Sequence, residues 1–316
     1  MINLQKFSTL IQLLDYFKDE ITCSQYLAKI RWNDKNQCPY VDCKHDKVFE
    51  FKNGVKYKCA RCRKQFSVRI GTIFQDSKIP LRKWFAAIYL VTSHKKGISS
   101  MQLAKDIGVQ QRTAWFLLHR IRHTFGIRTS TDKLSGDVEA DETYIGGLEK
   151  NKHKNKKSGG SQGRSLKSKT PVAGVIERGG QLRAQVVVNT KGEHIRPFIM
   201  QNVEPGSKLN TDEWWGYKGL FKWFEHQIVQ HKAKEYMRGD VHTNTLEGFW
   251  SLLKRGLSGI YHQISPKHLQ NYLNEFVFRY NTRLMNESFR FNEMLSNINT
   301  HITYKELTAL THGRSH

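Results

Sequence analysis

The chain has 316 residues, enough for two or three domains and a substantial core. A formal charge of +23, with a pI near 9.8, points to a polyanionic partner, either nucleic acid or an anionic membrane surface. No run of about 18 apolar residues occurs and no signal-peptide pattern opens the chain, which predicts a soluble intracellular protein without a membrane span.

Leu4–Ile30 carries apolar residues at mixed helical spacings (Leu10, Leu13, Leu14, Phe17, then Tyr26, Leu27, Ile30), so residues 1–30 are predicted as two short helices. Cys23 lies among them as a buried thiol. The other cysteines fall in two close pairs, Cys38/Cys43 and Cys59/Cys62, separated by fifteen residues. Paired knuckles around a strand-rich segment suit a closed, structural Zn²⁺ site with four thiolates, and paired thiols fit a reducing compartment better than disulfides do. The first pair is spaced widely, and His45 stands close enough to replace Cys43. Residues 31–76 are therefore predicted as a zinc ribbon. Lys56, Lys58, Arg61, Arg63, Lys64 and Arg69 make it basic, as contact with a phosphate backbone requires.

Residues 77–130 predict a helix-turn-helix. Pro80–Thr92 is one helix, Ser99–Val109 a capped short helix ended by Gly108, and Gln110–Phe125 a longer basic helix. Gln110, Gln111 and Arg112 open the last helix, where base edges are read. Arg120, with His119, Arg122 and His123, is expected on its outer side, so Gln110, Gln111, Arg112 and Arg120 are the candidate DNA contacts.

Gly136–Gly147 alternates like a strand, with Asp137, Glu139 and Asp141 on one side. Three acids on one strand face repel unless they are solvated or hold cations. Lys150–Lys169 then holds eight Lys/Arg and no acid, a flexible basic loop over about residues 150–170. Pro171–Ile176 and Leu182–Val188 form a hairpin across Glu-Arg-Gly-Gly, and Glu193–Gln201 a helix. Ser207–Thr211 is a short strand delivering Asp212, which taken alone reads as a helix cap before Trp214 and Trp215. After a strand at Gln227–Gln230 comes Val241–Gly256, whose apolar face (Leu246, Phe249, Trp250, Leu253, Leu257) adjoins a stripe of Glu247, Trp250, Ser251 and Lys254. Glu247 and Lys254 are either a solvated helix pair or a metal ligand and a phosphate contact. Ser265–Asn281 is another amphipathic helix, and residues 291–316 are predicted as a C-terminal tail, weakly ordered over residues 300–316.

The stretches V-E-A-D-E-T-Y-I-G-G, T-D-E-W-W-G-Y, H-T-N-T-L-E-G-F-W-S-L-L-K-R-G and F-x-x-R-Y-N-x-R resemble bacterial insertion-sequence DDE transposases with an N-terminal zinc ribbon, a group related to the Merlin elements. The likeness runs from the cysteine pairs to about Arg283. It implies an α/β, RNase H-like catalytic domain over residues 135–290, and a transposase that binds its element's ends and carries out metal-dependent strand cleavage and transfer. Carried over, the triad is Asp141, Asp212 and Glu247, binding catalytic Mg²⁺ or Mn²⁺, with Lys254 as associated base. Asn244 competes with Glu247, since some relatives use Asn as the third ligand. The resemblance also implies double-stranded DNA partners (terminal repeats and target), a homo-oligomer on DNA, and a bacterial, cytoplasmic, nucleoid-associated setting. A non-catalytic zinc-ribbon/helix-turn-helix regulator and a nuclease without strand joining are the rival readings.

Overall fold

A computed structural model describes residues 6–33, 35–127, 132–146, 169–230, 239–262 and 264–309. Most of the predicted basic loop, and residues 310–316, lie outside the described residues. The chain divides into two compact units, Met1–Thr129 with Leu284–Ala309, and Ser130–Arg283 with Leu310–His316.

In the first unit, helices α1 (Leu10–Tyr16) and α2 (Glu20–Trp32) start where short polar side chains satisfy orphan amides. Thr9 accepts from the Gln12 N–H and Asp19 from the Thr22 N–H. Three short antiparallel strands follow, β1 (Val48–Glu50), β2 (Lys56–Cys59) and β3 (Gln65–Ser67). Helices α3 (Leu81–Ser93), α4 (Ser100–Ile107) and α5 (Gln111–Phe125) match the predicted helix-turn-helix elements. Ser99 caps α4 by accepting from the Gln102 N–H, and Gly108 ends it at φ 62°, a backbone state that costs glycine little.

The predicted tail is not a tail up to residue 309. Its residues form α9 (Glu287–Ser296) and α10 (Tyr304–Ala309), which belong to the first unit. Phe291, Met294, Leu295, Ile298 and Ile302 recur at helical and near-helical spacings and are all buried. Phe291 packs edge-on against Phe7 and Phe85, with centroids 5.1 and 5.5 Å away. The break between units falls at Arg283/Leu284, before residue 290.

The second unit is an α/β, RNase H-like domain built on one mixed sheet. Strands β4 (Asp137–Ile145), β5 (Thr170–Glu177), β6 (Leu182–Val186), β7 (Lys208–Asp212) and β8 (Glu225–Val229) take the order β6-β5-β4-β7-β8. β4–β5 and β5–β6 are antiparallel, whereas β4–β7 and β7–β8 are parallel. β5 reads Pro-Val-Ala-Gly-Val-Ile and is buried on both faces, as an inner strand between two layers must be. On one face Val138, Ala140, Ala173 and Val175 pack with α6 (Gly192–Asn202) and with Tyr217, Leu220 and Phe224. On the other, Ile145, Val172 and Ile176 pack with α7 (Asn244–Gly256) and α8 (Leu269–Asn281). The Arg-Tyr-Asn-x-Arg motif closes α8 onto the hairpin. Asn281 both donates to the Leu182 carbonyl and accepts its N–H, like a strand partner. Among the described residues no helix is long and apolar enough to cross a membrane.

Candidate active site

The four paired cysteines come together. Their sulfurs lie within 4.8 Å of one another, with Cys38–Cys62 at 3.8 Å and Cys43–Cys59 at 3.6 Å. Tetrahedral Zn²⁺ with bonds of about 2.3 Å sets sulfurs about 3.8 Å apart, so the cluster has the size of a four-thiolate zinc site. Both knuckles turn through a left-handed residue directly after their second cysteine, Lys44 at φ 43° and Arg63 at φ 57°. Burial opposes ionisation of Cys59, but N–H groups of Cys62 and Arg61 pull its thiol down to about 7, which favours the ligating thiolate. Cys23 stands apart and is fully buried, its thiol pushed up to about 12 by desolvation.

In the second unit, β4 and β7 run parallel with Glu139 opposite Asn210, and Asp141 and Asp212 sit two residues further along each strand. Side chains alternate, so both acids face the side covered by α7. The Asp141 carboxyl is raised well above the usual range by burial first, then by the charges of Glu142, Asp212 and Glu247. Lys254 feels the same cluster: desolvation lowers it while the Asp141 charge opposes that shift. Asp141, Asp212, Glu247 and Lys254 thus share one electrostatic neighbourhood. Their carboxylates are not drawn into a ligand set as tight as the thiols, because among the described residues only the cysteines bring three ligand atoms within 4.8 Å. A carboxylate raised by other carboxylates is short of positive charge, and hard oxygen donors of this kind fit Mg²⁺ or Mn²⁺. Asp212 also accepts from the Trp214 N–H at 2.9 Å, so it caps the following turn as well as pointing toward Asp141.

α7 meets this edge through its N-terminus. Glu247 is exposed in the first turn, and its Oε1 accepts from the Thr243 hydroxyl at 3.0 Å. Asn244, the rival ligand, is the first residue of α7 and is exposed as well. The predicted stripe splits: Glu247, Ser251 and Lys254 are exposed, and Trp250 is buried.

Three features support the site; Glu139 and Glu142 are read from the sequence as structural neighbours of the triad, and their partners, with the polar contact of Trp250, come from the fold. The fully buried Glu139 carboxylate accepts from Arg178 Nε at 2.9 Å, the Thr245 hydroxyl at 2.9 Å and the Leu246 N–H at 3.0 Å. His242 Nδ1 stands 3.1 Å from the same carboxylate. Glu139 therefore ties the first turn of α7 to β4. Trp250 donates its indole N–H to Asp141 Oδ2 at 3.0 Å, fixing that carboxylate's rotation. The ring fits because Gly174, opposite Asp141 on β5, has no Cβ; one built there would lie 2.6 Å from the indole. On the other face, the buried Tyr217 donates to Glu142 Oε2 at 2.6 Å.

In the first unit, Gln110, Gln111 and Arg112 are exposed where α5 begins. The Gln111 amide donates to Ser100 Oγ at 2.8 Å, and the Arg112 guanidinium lies over the Tyr304 ring at 5.3 Å. Arg120 must be reassigned. It is 4% exposed and donates to the carbonyls of Ile73, Gln75 and Ile302, so it cannot reach a phosphate without dismantling that packing. His119 and Arg122 are buried as well, and His123 Nε2 lies 3.1 Å from the Thr300 hydroxyl.

Comparison with known families agrees with this architecture. Residues 133–281 match the ISXO2-like transposase domain, and residues 18–65 match the transposase zinc-ribbon domain. The chain is similar to a Halobacterium salinarum protein described as an uncharacterized protein in transposable element ISH50. The two are 30% identical over 275 residues, covering 83% of this chain and 91% of that relative. The likeness noted above to bacterial elements therefore extends to an archaeal one.

Proposed function

The chain belongs to the ISXO2-like transposase family, and on that footing we propose that it binds the ends of its own insertion sequence and catalyses DNA strand cleavage and strand transfer. Asp141, Asp212 and Glu247 are the metal ligands in this reading, with Mg²⁺ or Mn²⁺ as cofactor and Zn²⁺ as a structural ion. The observation that carries it is the parallel register of β4 and β7, which sets Asp141 and Asp212 at matching positions on the face covered by α7, the helix that bears Glu247.

Divalent ions held by Asp141, Asp212 and Glu247 would supply activation of the attacking hydroxyl and stabilisation of the leaving oxygen. The chain's own residues do the rest. Trp250 holds Asp141 Oδ2 through the indole N–H and so sets the orientation in which that carboxylate would meet a metal. Thr243 orients Glu247. Lys254, partly desolvated, presents an ammonium to the phosphate of the strand being cut. Gln110, Gln111 and Arg112 read base edges of the terminal repeat, and the basic ribbon follows its backbone.

Joining two element ends to one target calls for at least two active sites, so the working form is a homo-oligomer on double-stranded DNA, in the cytoplasm at the nucleoid. The test is cleavage and joining of element-end DNA in vitro with Mg²⁺ or Mn²⁺. Both activities are expected from the native chain and neither from Asp141→Ala. Undiminished cleavage by that variant overturns the triad, cleavage without joining favours a nuclease, and specific binding without either favours a regulator.

A further inference from the structure

Between Asp212 and β8 the chain runs through residues 213–224, a stretch that packs inward and outward by turns. Tyr217, Leu220 and Phe224 are buried in the core under the sheet, and Trp214 donates its indole N–H to the Thr190 carbonyl at 2.9 Å. Gly216 allows the close approach, since a Cβ there would lie 2.8 Å from that same carbonyl oxygen. These anchors leave Trp215, Phe221 and Trp223 pointing out, 68%, 68% and 44% exposed. Among the described residues none of the three rings contacts another ring. Three large aromatics exposed within nine residues is a heavy concentration of apolar surface for a solvated turn.

Lysines alternate with the rings. Lys218 and Lys222 are exposed, and no Asp or Glu occurs between Glu213 and Glu225. Lysine is depleted from protein–protein interfaces, whereas rings interleaved with cations are the makeup of single-strand binding surfaces. The stretch starts three residues after Asp212 and returns alongside the five-residue β7, a length of roughly 16 Å, or a few stacked nucleotides. At its far end Trp223 lines an open cleft of about 440 Å³ with Gly192, Glu193, Arg196, Pro197 and Met200. Among the described residues Arg196 Nε is buried there without a hydrogen-bond partner.

We propose that the outer face of residues 214–224 is a stacking platform for single-stranded DNA, with Trp215 taking an unpaired base beside the scissile phosphate and Phe221 and Trp223 taking bases further along. The proposal rests on the reading of this chain as one that opens DNA strands at Asp141, Asp212 and Glu247.

The experiment uses full-length protein carrying Asp141→Asn, so that no strand is cut while binding is measured. Fluorescence anisotropy compares a labelled oligothymidine of about 20 nucleotides with a duplex of equal length. Adding Trp215→Ala is expected to weaken single-strand binding about tenfold, the scale of one lost base stack, with duplex binding held within about twofold. Trp215→Phe restores most of the loss. A second readout needs no change at the platform: one 2-aminopurine placed along the strand is quenched where it stacks. Equal loss on both DNAs, unchanged single-strand affinity, or absence of quenching at every position overturns the platform. So does a change in sedimenting mass without a change in DNA affinity, which makes the surface a protein interface. Should Asp141→Asn still cleave, the catalytic reading fails while the binding comparison stands.

Discussion

Replacing Glu139 with alanine separates the frame of the site from its chemistry. The substitution removes the acceptor for Arg178, Thr245 and the Leu246 N–H and leaves the Arg178 guanidinium beside His242 without its carboxylate. Breaking a buried ion pair costs about 3–5 kcal/mol. Arg178 keeps a side-chain exposure of 20% and can draw in water, which places the expected loss near the lower end, about 3 kcal/mol. For a domain of 150–250 residues each kcal/mol moves Tm by about 2–4 °C, so the metal-sensitive transition should fall by about 6–12 °C. Because Glu139 fixes the first turn of α7, the change should also raise the Mn²⁺ concentration giving half-maximal cleavage. Glu139→Gln, which retains one acceptor oxygen, should fall between alanine and native on both scales. Calorimetry and cleavage titrated with Mn²⁺ give the two numbers. A Tm within about 1 °C of native together with an unchanged Mn²⁺ midpoint would falsify the placement of Glu139 as the tie between β4 and α7.

Asp141→Asn removes a carboxyl that burial and three neighbouring acids already disfavour as an anion. The metal-free variant should therefore melt above native while losing cleavage and the Tm rise on adding Mn²⁺; a lower metal-free Tm contradicts this. Cys59→Ser should remove one zinc per chain by atomic emission and unfold the ribbon, whereas Cys23→Ser leaves zinc content intact; a zinc-replete Cys59→Ser protein excludes the four-thiolate site. Arg120→Ala strips the donors from three buried carbonyls and should destabilise the first unit by about 2–4 kcal/mol. Arg112→Ala should leave Tm unchanged and relax sequence preference at one base pair by about 1–3 kcal/mol, measured by competition binding. The reverse pattern would return Arg120 to the DNA surface.

The sequence disclosed most where spacing alone carries the chemistry. Two cysteine pairs predict a four-sulfur cluster because each knuckle is local, and the distances among the sulfurs agree. Strand alternation put Glu139 and Asp141 on the same side of β4, and both do face α7. Period two cannot say which acid meets the amides of α7 and which is left toward Asp212; that depends on where α7 begins along the strand. Helical periodicity failed in the same way for Arg120. It marks the polar side of α5, and a cation there reads as solvent-facing until the carbonyls of Ile73 and Gln75, and of Ile302 182 positions later, receive it. The apolar residues of that segment were visible from Phe291 to Ile302, but they are diluted by Asn, Ser and Thr and lack a partner within their own stretch.

The acids at the edge of the sheet are arranged against their own stability, and the surrounding packing explains how they hold. Asp141 is pressed by Glu142, Asp212 and Glu247, a repulsive set that a relaxed chain would let spread. Three of the four are instead fastened to packing residues. Trp250, seated over the bare Cα of Gly174, binds Asp141. Tyr217, in the opposite core, binds Glu142, and Thr243, at the head of α7, binds Glu247. The hydrophobic layers on both sides of β4 thus restrain the carboxylates that electrostatics would separate. Deleting a fastener should therefore impair metal binding more than it impairs folding, while deleting an acid should do the opposite to stability. That contrast in sign is what distinguishes a preorganised site from a chance cluster of surface acids.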